Sequence, residues 1–180
     1  MATHEREIVS PVELCGADGR LRPEAVGFAR TPLHLAELRG RWGRRKRWDY
    51  WCVQTPAAVM QVTVANLDYL GIVDVSVVDL RSGEVASAVQ VLPFARGLDL
   101  PLGVEGGVIA VRGRRLDLRI EPDASGTRIV ARCRTRRGPI DADVVVLRPP
   151  GEGSLNVVVP WDARHFQLTS KHVARPARGR

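Results

Sequence analysis

Two stretches concentrate the side chains that could bind or transform a ligand. The first covers residues 39–52, Arg-Gly-Arg-Trp-Gly-Arg-Arg-Lys-Arg-Trp-Asp-Tyr-Trp-Cys. It holds Trp42, Trp48 and Trp51, three of the four tryptophans, and six basic residues from Arg39 to Arg47, with no acid before Asp49. A guanidinium or ammonium beside aromatic walls suits an apolar molecule with a carboxylate or phosphate head. Lys46 and Arg47 would hold the head, with Trp48 and Trp51 along the apolar part. The same mixture could grip nucleic acid, arginines on phosphates and tryptophans stacked on bases. The plainer alternative is tryptophans in the core and arginines on a solvated loop.

The second stretch is residues 160–172, Pro-Trp-Asp-Ala-Arg-His-Phe-Gln-Leu-Thr-Ser-Lys-His. Trp161 would extend the apolar wall and Lys171 the cationic head site. His165 and His172 are candidate acid–base groups, because imidazole titrates near neutrality. Their spacing of seven matches no common metal motif, and no cysteine or third histidine lies near them. Asp68, at a break between two apolar runs, is a third acid–base candidate and also a good turn former. No nucleophile elbow, phosphate-binding glycine loop or HExxH is present. No cofactor is indicated.

Composition narrows the classes. The 180 residues are 44% hydrophobic and 26% charged, which suits a globular chain with its own core. No apolar run reaches the length of a membrane span, and the N-terminus lacks the apolar core of a secretory signal, so a cytoplasmic protein is expected. Cys15, Cys52 and Cys133 are widely spaced and odd in number, and they read as free thiols. The net charge of +7 is local. Six cations lie in 39–47 and four in 171–180; the remaining 17 basic residues face 20 acidic ones. That distribution disfavours nucleic acid as the partner.

The elements that must position these residues are strands. Residues 48–54, 59–67 and 71–80 are rich in β-branched and aromatic side chains. Arg81-Ser82-Gly83-Glu84 turns the chain into 85–92. A long loop over 93–106 precedes 108–112 and 114–121, a hairpin around Gly113. In the next hairpin Leu116, Leu118 and Ile120 alternate with charged residues, as do Ile129, Ala131 and Cys133. Folding about 122–127 sets Glu121 opposite Arg128 and Asp117 opposite Arg132, complementary pairs on a wet face. Further strands are expected at 140–147, 155–159 and 165–169. Residues 31–40 fit a short helix capped by Thr31 or an extended loop equally well. Nine or ten strands with regular turns and almost no helix indicate an antiparallel sandwich or barrel. The expected organisation is an arm and basic loop over 1–47, a β domain over 48–172 and a basic tail over 173–180.

Several of these residues together resemble a known family. Leu14-Cys15, Gly27-Phe28, Pro32-Leu33-His34, Lys46-Arg47-Trp48-Asp49-Tyr50-Trp51-Cys52, Leu67-Asp68-Tyr69 and the stretch Pro160 to His172 look like the bacterial domain-of-unknown-function family 2804. The resemblance implies lipocalin-like architecture, so the expected fold is all-β, an antiparallel barrel or strongly bent sheet. It also brings in a layout related to hydratases, and with it a rival reading as a hydratase or isomerase on a lipid-like substrate. Members are typically longer, with a second β-rich half. The chain is therefore expected to correspond to the N-terminal half, with 173–180 as a truncation point and self-association as a consequence. The leading expectation is a pocket for a small apolar ligand with an acidic head.

Overall fold

A computed structural model describes residues 5–180. Its strands are β1 (Val12–Glu13), β2 (Gly27–Ala29), β3 (His34–Leu35), β4 (Arg47–Gln54), β5 (Ala58–Asn66), β6 (Leu70–Asp79) and β7 (Val85–Pro93). They continue with β8 (Ile109–Arg112), β9 (Leu116–Pro122), β10 (Gly126–Thr135), β11 (Gly138–Leu147), β12 (Leu155–Pro160), β13 (Phe166–Lys171) and β14 (Ala177–Gly179). The helical content among the described residues is one short turn, Pro23–Ala25.

The chain divides into two compact units. The larger comprises Trp42–Pro101, Gly107–Arg148 and Pro176–Arg180. Here β4-β5-β6-β7 form an antiparallel meander, and β14-β11-β10-β9-β8 form a second antiparallel sheet. Val62, Val64, Val73 and Val75 from the first sheet share one core with Ile109, Leu116, Ile129 and Ala131 from the second. This is a sandwich, in which alternate residues of each strand face inward.

The expected barrel is corrected here: none of the sheets closes. β7 does not return to β4 but leads, through the long 94–108 connection, into the second sheet. A period-two pattern suits either architecture, because each needs one buried face per strand.

The hairpin register is as the alternation implies: Arg128 lies opposite Glu121 and Arg132 opposite Asp117. The ion pairs are nevertheless made elsewhere. Arg128 joins Asp143 on β11 at 2.5 Å, and Arg132 reaches Asp141 at 3.8 Å. β10 is a central strand, so its charged residues have neighbours on both sides.

The smaller unit comprises the chain up to Arg41, Leu102–Gly106 and Pro149–Arg175. Its sheet is β13-β12-β2, beside the parallel pair β1-β3. Leu14, Ala25 and Val158 form its core, with Phe166 and Leu168 packed on them. Residues 31–40 take the extended alternative. The carbonyls of Leu33 and Leu35 accept from Val12 and Leu14, and the buried His34 ring meets the Ala25 carbonyl at 3.1 Å. A helix would turn those carbonyls onto its own amides.

This division differs from the arm, domain and tail read from the sequence. The boundary falls between Arg41 and Trp42, inside the basic stretch, and the expected tail supplies β14 to the edge of β11.

Candidate binding surface

Strand β4 obeys the parity of its sequence. Trp48, Tyr50 and Cys52 are exposed, while Arg47, Asp49, Trp51 and Val53 are half-buried, with Trp51 and Val53 packed against the core. Trp48 and Trp51 therefore lie on opposite faces and cannot line one wall. Lys46 is exposed two residues before Trp48. Arg47 is committed to the scaffold. Its guanidinium donates to the Pro101 carbonyl, and burial lowers its proton affinity against the opposing pull of Asp99. Trp161, 68% exposed, and Lys171, also exposed, belong to the other unit.

The outer face of the β4–β7 sheet can be built row by row from its register. Trp48, Ala65, Ile72 and Val91 are cross-strand neighbours and form an apolar row. The next row is Tyr50, Thr63, Asp74 and Val89; the third is Cys52, Gln61, Ser76 and Ser87. The polar members satisfy one another. Gln61 donates to the Tyr50 hydroxyl at 3.0 Å, and Ser87 donates to Asp74 at 3.1 Å. Trp48 and Val91 are each 55% exposed, and Val89 58%. At the same end of the sheet Trp42 stacks on Phe94, ring centroids 6.4 Å apart and planes inclined by 29°. Both rings are exposed, and the Arg96 guanidinium lies 5.5 Å from the Phe94 centroid. Contiguous exposed apolar surface of this kind marks a place where something binds.

Asp68 holds the basic loop against this end of the sheet. Its carboxylate accepts from the amides of Gly43 (2.8 Å) and Arg45 (3.3 Å), and pairs with the Arg45 guanidinium at 3.1 Å. Asp68 also takes φ 67°, the left-handed conformation of a tight turn. It is both turn former and anchor, and these bonds occupy the carboxylate of a proposed acid–base group. Of the six cations in 39–47, Arg39 pairs with Glu37 and Arg45 with Asp68, while Arg47 binds a carbonyl. Half of the cations of the stretch are thus engaged within the protein.

The histidines are placed apart in function though they share the smaller unit. His165 closes the β12–β13 turn. Its Nδ1 lies 2.6 Å from Asp162, whose Oδ1 also accepts from the amides of Arg164 and His165. The Arg164 amide first, then the His165 ring, hold the Asp162 carboxyl down to about 2. A depressed carboxylate contributes stability that is fully present above its usual pKa of 3.8 and lost as pH falls through about 2. Carboxyl NMR should find the Asp162 midpoint near 2, moving upward in His165→Ala. A midpoint at 3.8 would remove the turn as its cause.

His172 lies in a buried ionic cluster that the sequence does not reveal, since its members span residues 105–175. Arg175, 7% exposed, bonds Glu105 at 2.7 Å, Glu152 at 2.5 Å and His172 Nδ1 at 2.9 Å. Glu152 is also 3.1 Å from the same Nδ1. That nitrogen cannot serve both at once: it accepts from Arg175 with its lone pair, or donates to Glu152 when protonated. Burial opposes the charge on Glu152, but the bonds from Arg175 and His172 outweigh it and set its pKa below the ordinary range.

Fold and surface together define an all-β, mainly antiparallel protein with an open, partly apolar sheet face and with His34, His165 and His172 each bonded into the scaffold. The chain matches the family described as "Domain of unknown function (DUF2804)" over residues 5–180, and it belongs to that family. No curated protein and no solved structure matches it. No helix among the described residues is long and apolar enough to cross a membrane.

Proposed function

We propose that this protein is a binding module for a small apolar, lipid-like molecule with an acidic head, taken on the outer face of the β4–β7 sheet. The observation that carries the reading is the apolar row Trp48–Ala65–Ile72–Val91, exposed at Trp48 and Val91 and half-buried between them, with Lys46 preceding Trp48 on the chain. The lipocalin-like element of the reading is the up-and-down meander itself. The ligand lies on the sheet rather than inside a closed barrel. The free cysteines Cys15, Cys52 and Cys133 support a reducing, cytoplasmic setting. The bonds already made by Asp68 and His165 favour binding over hydratase or isomerase chemistry.

Dodecanoate, followed by tryptophan fluorescence and native mass spectrometry, tests the reading. Trp48→Ala should weaken binding by roughly ten- to a hundredfold, the worth of one large apolar contact. Lys46→Ala should weaken dodecanoate severalfold and leave dodecyltrimethylammonium unaffected, with no change in melting temperature. Equal binding of both amphiphiles to the native protein would remove the acidic head from the proposal. Equal binding to Trp48→Ala would remove the face.

A further inference from the structure

We infer that the free edge of β7 is a strand-addition site for an extended, acidic segment of a partner protein. β7 is the last strand of its sheet and, among the described residues, pairs only with β6. The bonds Asp79 N–H to Glu84 C=O and Phe94 N–H to Tyr69 C=O, both 2.9 Å, flank the β6–β7 ladder. Hydrogen-bonded pairs alternate in an antiparallel ladder. The even-numbered residues of β7 therefore point their amides and carbonyls at β6, and Val85, Ser87, Val89 and Val91 point theirs outward.

Edges are usually guarded by charge, proline or a bulge within the strand. Residues 85–92, Val-Ala-Ser-Ala-Val-Gln-Val-Leu, contain neither charge nor proline; the strand's one proline, Pro93, stands at its last position. An open hollow of about 680 Å³ runs along this edge, with Val85–Val89 on one side. The other side is Arg115, Arg134, Thr135, Arg136 and Arg137, from the turn before β9 and the β10–β11 hairpin. The Arg134 amide donates to the Arg115 carbonyl at 2.8 Å, which holds those two residues together. Arg137 pairs with Glu84. Among the described residues Arg115, Arg134 and Arg136 make no ion pair.

Unpaired backbone groups beside clustered guanidinium groups define the occupant. The backbone requires an extended peptide, which supplies matching amides and carbonyls. The arginines require carboxylates. A second copy of β7 would bring its own arginines to the same place and be repelled. A nucleic-acid strand would satisfy the charge and leave the ladder unmade.

The probe is a fluorescein-labelled peptide of alternating glutamate and valine, nine residues long, followed by anisotropy with the full chain. Binding should weaken at least about tenfold with Arg115→Glu/Arg134→Glu. It should weaken as much when alternate peptide nitrogens are methylated, which removes ladder donors and keeps the charge. The same protein variant should retain the native melting temperature and its dodecanoate binding. Equal affinity for the methylated peptide, or for a single-stranded oligonucleotide, would overturn strand addition in favour of simple anion attraction. No binding of the peptide would overturn the site and leave the arginines as guards of a bare edge.

Discussion

Arg175→Ala is expected to destabilise the smaller unit by about 3–5 kcal/mol, the usual cost of breaking a buried ion pair from one side. The reason is what the substitution leaves behind. Glu105 and Glu152, with side chains 9% and 12% exposed, would lose the guanidinium that bridges them. The sign of the pH dependence should also change. In the native protein the depressed pKa of Glu152 contributes stability present above about 4.5 and lost as pH falls through the folded value. Without Arg175, burial acts on Glu152 with less to offset it, and its pKa rises. A raised carboxyl is penalised at neutral pH and relieved in acid. The gap between the two proteins should therefore narrow from pH 7 to pH 4, as read by hydrogen exchange of the β12 and β13 amides. A triple change, Arg175→Met with Glu105→Gln and Glu152→Gln, should recover much of the loss, because it removes the orphaned charges as well as the pair. A small, pH-independent loss in Arg175→Ala would mean that the cluster contributes packing alone.

That cluster illustrates what the sequence leaves hidden. Alternation is local, so β4 to β7 and the β9–β10 register were readable from residues 48–133, down to Glu121 facing Arg128. Whether such strands close into a barrel depends on which strands pair at the edges, and no local pattern encodes it. β2 and β14 were missed for a related reason. Gly27-Phe28-Ala29 and Ala177-Arg178-Gly179 are three residues each, too short to show alternation, and pair with the edges of β12 and β11. The parity of β4 was legible, and it already separates Trp48 from Trp51. Lys46 lies just before β4, two residues from Trp48, while Trp161 and Lys171 belong to a unit whose boundary cuts through the basic stretch. Glu105 and Arg175 are 70 positions apart and lie in unpatterned loops, so nothing in their surroundings advertises a buried pair.

Asp68→Ala should cost about 2–4 kcal/mol, more than an exposed turn residue would. Two effects add. The carboxylate satisfies the Gly43 and Arg45 amides and the Arg45 guanidinium with only 11% of its side chain exposed, so its loss strands donors as well as a charge. The left-handed φ of 67° also disfavours alanine by about 1 kcal/mol. Three variants separate these causes. Asp68→Gly relieves the backbone and keeps the loss of bonds. Asp68→Asn keeps the turn and one acceptor oxygen, and it should be the mildest. Asp68→Ala carries both penalties. The amides of Gly43 and Arg45 should exchange faster in the order Asn, Gly, Ala. Dodecanoate binding should fall in the same order, because the loop carrying Trp42 onto Phe94 is released with them. Were Asp68 instead an acid–base group, Asn would be as damaging to function as Ala while leaving stability and exchange almost unchanged. Equal exchange rates in all three variants would mean that the basic loop is held by something other than this carboxylate.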